Sequence, residues 1–326
     1  MNPFDFATAA NINDAIARAG AGGSMYLAGG TNLVDLMKLG VALPSHVVDI
    51  KQLPLRGIWT DAFGLHIGAL EKMADVQANP LVKAYPVLAQ ALNGASPQLR
   101  NMATIGGNLL QRTRCNYFRD TAMPCNKRSP GSGCPAINGE NRAHAILGGS
   151  DFCVATHASD FAVALVALGA QLALADATFS RTLPLVALYR LPGSTPQLEN
   201  TLLPGELISA VLVPPLPWAT RSTYLKLRDR RSYGFALASA AVAADLATDG
   251  TIRDVRVAVG GVATVPWRAY TVENALRGQP LQQSVVDTAA QQVVVGARPL
   301  AQNRFKVALV QRVISRALLS LGGTNG

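Results

Sequence analysis

All four cysteines of the chain fall within one stretch, at Cys115, Cys125, Cys134 and Cys153. Four soft thiolates are a complete ligand set for a zinc ion or an iron–sulfur cluster. The gaps between them are nine, eight and eighteen residues, so the C-x(2–4)-C knuckle of structural zinc sites is missing. Disulfide frameworks belong to small secreted domains that cannot build a core, and this chain is long. Iron–sulfur ligands need only converge in space, and loops can bring them together from irregular gaps. The spacing therefore favours a cluster, with disulfides or free thiols and zinc as the alternatives.

Beside the thiols stand two glycine turns of like composition, Ala28-Gly29-Gly30-Thr31-Asn32-Leu33 and Thr104-Ile105-Gly106-Gly107-Asn108. Glycine lets the backbone approach a phosphate with no Cβ in the way. Successive amides at a helix N-terminus then point at the anion. Thr31 or Asn32 could cap the helix that follows or bond a phosphate oxygen. Either turn alone could be an ordinary strand–helix bend; two of them can clamp the pyrophosphate and ribose of one dinucleotide. Neither is G-x-G-x-x-G followed by an acidic residue about 20 positions on, which disfavours a nicotinamide site. Turns and thiols together suggest a flavin nucleotide next to an iron–sulfur cluster.

The elements that must hold these groups can be read in order. Asn11 to Ala19 reads as an amphipathic helix with Asn11 as N-cap and Gly20 as its end. Met25–Ala28 reads as a strand, and a helix with Leu33, Leu36 and Met37 on one face runs to Gly40. His46–Ile50 and Leu65–Ala69 read as strands, whose His46 and His66 are expected at strand edges rather than as ligands. One helix is expected over Leu81–Leu92, stopped at Asn93-Gly94, with Pro86 at an early turn or a kink. The cysteine segment has neither helical nor strand period. Its basic residues Arg112, Arg114, Arg119, Lys127, Arg128 and Arg142 outnumber Asp120 and Glu140, which suits a nearby anionic cluster or a solvated basic loop. Phe161–Gly169 reads as a buried helix and Gln171–Ala175 as a strand, and Pro204-Gly205-Glu206-Leu207-Ile208 leads into a strand ending at Val213. Pro214–Pro217 breaks any ladder and marks a boundary. Beyond it, strands at Ser222–Arg228, Phe235–Leu246 and Ile252–Val259, with an Asp249-Gly250 hairpin turn, precede a helical tail with its stripe at Leu309, Val310, Val313, Ile314, Ala317 and Leu318. Lys226 is either a surface strand lysine or a cation facing the flavin or its phosphates.

The chain has 326 residues, 49% hydrophobic and 15% charged, with a formal net charge of +9. Such a chain folds around a large core. The charge bears on partners rather than fold. Without a basic run or an aromatic-studded sheet motif, acidic partner subunits account for it better than nucleic acid. The N-terminus shows no basic and then apolar leader, and no apolar run reaches the ~20 residues of a bilayer span.

The glycine turns, Ser159-Asp160, Pro204-Gly205-Glu206-Leu207-Ile208, Tyr224-Leu225-Lys226 and Asn303-Arg304-Phe305 together resemble the FAD-binding medium subunit of the xanthine dehydrogenase / molybdenum hydroxylase family, over essentially the whole chain. Within it, the inserted loop 112–154 looks like that of the flavin and [4Fe–4S] subunits of bacterial periplasmic aldehyde oxidoreductases; 4-hydroxybenzoyl-CoA reductases have a comparable insertion. The resemblance implies an α+β fold. Residues 1–216 would form a two-subdomain FAD-binding domain of the PCMH / vanillyl-alcohol-oxidase-like type. Residues 217–326 would form an antiparallel sheet with helices of the CO dehydrogenase flavoprotein C-terminal type. It implies that Tyr26, Leu27, Ala28, Gly29, Gly30, Thr31, Asn32 and Leu33 hold the FAD pyrophosphate, with Thr104, Gly106, Gly107 and Asn108 closing over it. Asp160 would accept hydrogen bonds from the cofactor, Ile208 would pack on its adenine or flavin side, and Lys226 would lie near the flavin. Cys115, Cys125, Cys134 and Cys153 would ligate a [4Fe–4S] cluster. Substrate chemistry, the oxidation of aldehydes, would belong to a large molybdenum-cofactor subunit, and a small subunit with [2Fe–2S] clusters would feed electrons to this FAD. No catalytic residue is expected here, and no nicotinamide contact can be named, so the acceptor would be a quinone, a protein or oxygen. Co-export to the periplasm with a signal-bearing partner is expected, with the cytoplasm as the alternative. A stand-alone FAD oxidoreductase is the competing reading.

Overall fold

A computed structural model describes residues 1–20, 22–176 and 180–322. Three sheets organise it. The first is parallel: β1 (Asp5–Thr8) and β2 (Ser24–Leu27) flank β3 (His46–Asp49). Parallel neighbours need crossovers, supplied by helices Ile12–Ala19 and Leu33–Lys38. The first helix starts where expected, with the Asn11 side chain accepting from Asp14 N at 2.9 Å. Its Ala15 and Ile16 pack on Val48, Ile50 and Leu207.

The second sheet is antiparallel, in the order β4 (Ile58–Asp61), β5 (Gly64–Gly68), β8 (Leu207–Val213), β6 (Gln171–Ala175) and β7 (Ser180–Pro184). The third runs β12 (Trp267–Arg268), β11 (Ile252–Gly260), β10 (Ala238–Leu246), β9 (Ser222–Leu227), also antiparallel. Helix Asp160–Ala167 lies between them, packed on helix Pro86–Asn93 and on β10 and β11. Every residue from Phe161 to Ala167 is therefore buried, which is why the segment shows no polar face.

The small side chains of β10 follow from the same arrangement. Period-two alternation sends Ala241 and Ala243 into the core shared with that helix, and Ala240, Val242 and Ala244 into the core under helix Phe305–Leu319. A Cβ on Gly260 of β11 would stand 2.6 Å from Val163. The approach of helix to sheet leaves no room for larger residues.

Three expectations need correction. The single helix over Leu81–Leu92 is two, Pro80–Lys83 and Pro86–Asn93, each opened by a proline whose missing N–H costs nothing at N1. The strand expected from Phe235 starts at Ala238, and Phe235 belongs to the preceding loop. The second glycine turn is the first turn of a short helix, Ile105–Leu109, with Thr104 as its N-cap.

Candidate cofactor site

The two glycine turns face each other across a cleft of about 490 Å3. Tyr26, Ala28, Gly29, Gly30, Thr31, Asn32, Leu33, Thr104, Gly106, Gly107 and Ile208 line it. Gly29 touches the chain that leads into the second turn: a Cβ there would lie 2.2 Å from Met102 O and 3.0 Å from Ala103 Cα. Gly30 has φ +72, a conformation glycine adopts without strain. The Thr104 hydroxyl accepts from Gly107 N at 3.4 Å. Tyr26 donates to Gly205 O at 2.7 Å, and burial pushes its hydroxyl up to about 12.

Two of the sequence expectations change here. Leu27 turns away from the cleft and packs against the cluster of Leu36, Met37, Val47 and Phe118. Asn32 does not cap its helix. Its Oδ1 accepts from Arg112 N at 3.1 Å, tying the turn to the start of the cysteine loop. Its Nδ2 is buried with no protein partner. Because Asn32 lines the cleft, that orphaned donor is available to a bound acceptor.

A second cavity of about 290 Å3 adjoins the first, sharing the wall residues Thr31, Asn32 and Gly107 with it. Asn108, Asp160, Lys226 and Phe235 line this part. The Lys226 side chain is 9% exposed and bonds Asp160 Oδ2 at 2.7 Å and Gly94 O at 3.2 Å. It is no surface lysine, and it faces the cavity as half of an ion pair. Tyr224 donates to Asp160 Oδ1 at 2.6 Å; burial first, and then the Asp160 charge, push its hydroxyl well above its ordinary value. Each Asp160 oxygen thus already accepts one bond. Ser159, the N-cap of the buried helix, donates to Asn108 Oδ1 at 2.6 Å and so holds the second turn. Sequence reasoning missed Gly94, where a Cβ would meet Asp160 Oδ2 at 2.6 Å; nothing in its helix-stop role signals that contact.

The cysteine loop brings all four expected thiols to one small pocket, with His144, Phe118 and Lys127 beside them. All four are free cysteines. Burial above all pushes the Cys115 thiol up to about 12; amides of Phe118 and Tyr117 pull the other way, and the nearby Cys125 and Cys153 add to the rise. Cys134 and Cys153 are raised too, mainly by burial. Crowded buried thiols ionise together when a cation takes them as ligands. Among the described residues, no three His, Cys, Asp or Glu side chains are arranged to hold one metal ion. The His144 ring stands against Cys115, Nε2 to Sγ 3.2 Å. Burial and the Lys306 charge hold this imidazole down at about 4.

The basic residues of the loop do not form a free halo, nor a solvated face. Arg112 and Lys127 both pair with Glu199. Burial raises that carboxyl, but the two cations bring it below its ordinary value. Arg119 grips Asp35 with both nitrogens and Arg142 grips Asp229 likewise. Arg128 donates to the carbonyls of Tyr117 and Phe118, and Arg114 to Arg112 O. These bonds fasten an irregular loop to the elements around it. His46 opens β3 and stands 3.2 Å from Asp5, whereas His66, 3.0 Å from Asp61, lies within β5 between β4 and β8 and not at the strand edge expected of it.

Residues 2–216 match the family described as the FAD binding domain in molybdopterin dehydrogenase, and residues 223–321 the CO dehydrogenase flavoprotein C-terminal domain. The chain is 48% identical over 300 residues to the aldehyde oxidoreductase FAD-binding subunit PaoB of Escherichia coli, covering 91% of each. It is 28% identical over 325 residues to the carbon monoxide dehydrogenase medium chain of Hydrogenophaga pseudoflava, 97% of this chain and 96% of that one. A solved carbon monoxide dehydrogenase from the latter organism superposes with a TM-score of 0.75 at 27% identity, over 98% of this chain and 97% of the other. No described helix is long and apolar enough to cross a membrane. A cleft with two glycine turns and an unspent amide, inside a chain matched from end to end in this way, places the protein among the FAD-binding medium subunits of the molybdenum hydroxylase family.

Proposed function

We propose that this chain is the electron-transfer flavoprotein subunit of a molybdenum-dependent aldehyde oxidoreductase. It would take electrons from an iron–sulfur small subunit and pass them to an external acceptor, while a molybdenum-cofactor large subunit oxidises the aldehyde. The observation that carries the reading is the pair of adjoining cavities, walled in common by Thr31, Asn32 and Gly107, that set both glycine turns beside the Asp160–Lys226 pair. Bound FAD supplies a centre that exchanges electrons one or two at a time. The chain's own part is to hold and orient it. Amides of Gly29, Gly30 and Thr31 and the hydroxyls of Thr31 and Thr104 suit a pyrophosphate, Gly106 and Gly107 leave room for its approach, and the unpartnered Asn32 Nδ2 suits one of its oxygens. Ile208 offers an apolar wall. Asn108 and the Asp160–Lys226 pair, braced by Tyr224, offer polar contacts at the far end.

We extend the proposal to the thiols: Cys115, Cys125, Cys134 and Cys153 hold one [4Fe–4S] cluster. Four free cysteines at one pocket, Cys125 and Cys153 buried and Cys115 and Cys134 partly so, support it. The likeness to an aldehyde oxidoreductase subunit supports the substrate class.

The test is aldehyde-dependent bleaching of flavin absorbance under anaerobic conditions. The assembled complex should bleach and the isolated, flavin-loaded chain should not. An isolated chain that oxidises aldehyde unaided would overturn the assignment.

A further inference from the structure

We propose that His144 is a positioning residue of the thiol site: its Nε2–H donates to the Cys115 sulfur, raises the potential of the centre held there, and is set in place by the first turn of helix Phe305–Leu319. The inference rests on the cluster reading above.

The contact itself is short for a bond to sulfur, 3.2 Å, and His144 is buried. A sulfur ligated to iron carries no proton, so the hydrogen between the two atoms must be on Nε2. Nδ1 then bears the lone pair, and it is buried without a partner. The ring is thus not anchored by its second nitrogen, unlike most histidines at metal sites. Something else has to aim it.

The backbone does so. Lys306 Nζ donates to Ala143 O at 2.9 Å, His144 O at 3.0 Å and Gly261 O at 2.7 Å. Asn303 Nδ2 donates to His144 O at 3.2 Å and Ala145 O at 3.3 Å. His144 N donates to Asn141 O, and Ala145 N to Val154 O beside Cys153. Lys306 and Asn303 are both fully buried, 0% exposed. Among the described residues no carboxylate pairs with Lys306. A buried ammonium is costly when an apolar side chain could fill the same space. Here all three of its donors go to carbonyls, two of them on the segment that carries His144. The helix of the C-terminal sheet thereby fixes the one imidazole that touches a candidate iron ligand.

Reduction adds negative charge to the sulfurs of a cluster, so a hydrogen bond to one of them favours the reduced form. Losing it should move the potential down.

The experiment uses the complex, purified anaerobically, with iron content measured beside a redox titration followed by electron paramagnetic resonance of this centre. In His144→Leu, iron should stay at the wild-type level while the reduced-to-oxidised ratio at the wild-type midpoint falls about tenfold, about 59 mV for one electron. His144→Gln, which keeps a donor, should recover most of that shift. Lys306→Met should move the potential in the same direction, and the two His144 variants decide the matter even if Lys306→Met fails to fold. An unchanged potential at full iron content in His144→Leu overturns the proposal. So does loss of iron from that variant alone, since His144 would then hold metal or fold rather than tune a sulfur. Wild-type protein without iron refutes the cluster reading itself, and is seen before any variant is made.

Discussion

Gly29→Ala tests the meeting of the two glycine turns. The added methyl would sit 2.2 Å from Met102 O and 3.0 Å from Ala103 Cα, both main-chain atoms that no side-chain rotation can move. Ordinary contact begins near 3.4 Å, so the turns must part by about 1.2 Å. Overpacking of this kind costs about 1–3 kcal/mol. The same displacement would break at least one amide–phosphate hydrogen bond, worth about 1.5–3 kcal/mol when the acceptor is charged. Flavin should then bind roughly 10- to 100-fold more weakly. Gly107→Ala is the companion variant. Its methyl would meet only the Thr104 Oγ1 atom, at 3.0 Å, and a hydroxyl rotamer can yield. It should cost no more than about 1 kcal/mol, the worth of the Thr104 cap bond, and still lose flavin, because the methyl blocks the approach of a phosphate. The assay is flavin-to-protein ratio and fluorescence of released flavin on dilution, with thermal melts alongside. Gly29→Ala protein with full flavin, unchanged affinity and an unchanged melt would refute the reasoning.

Lys226→Met should destabilise the chain by about 2 kcal/mol, because it leaves the partly buried Asp160 carboxylate facing Tyr224 alone; denaturant unfolding checks this, and adding Asp160→Asn should restore part of the loss. Glu199→Gln should cost about 2 kcal/mol by freeing Arg112 and Lys127. The folded Glu199 lies below its ordinary 4.5, so its contribution is present above that pH and disappears on acidification; the variant should lack this part of the acid sensitivity in pH-dependent melts. Lys306 is held down at about 7 from an ordinary 10.5, chiefly by burial. Between those values the unfolded chain binds the extra proton, so stability should rise with pH across that window. Melts of wild type and Lys306→Met from pH 7 to 10 should show the rise in the wild type alone.

Much of this was legible in the residues. The glycine turns, the Asn11 cap, the glycine stop after Leu168 and the Asp249-Gly250 hairpin are local devices, and local chemistry decides them. What was hidden depends on partners distant in sequence. Asn32 is an obvious cap by type, yet the amide of Arg112 claims its oxygen. The loop arginines look like an answer to cluster charge, yet Asp35, Glu199 and Asp229 from other elements take most of them. Lys226 could not be placed on a face until Asp160 and Gly94 stood beside it. His144 and Lys306 carry no motif at all; each gains its meaning from the contact of the cysteine loop with the last long helix.

The most direct measurement is flavin, iron and sulfide content of the protein purified anaerobically with its partner subunits, with Cys134→Ser in parallel. In this chain the wild type should carry one FAD and about four irons with matching sulfide; Cys134→Ser should lose those irons and keep the flavin. Protein that is colourless and free of iron in this chain would contradict the account.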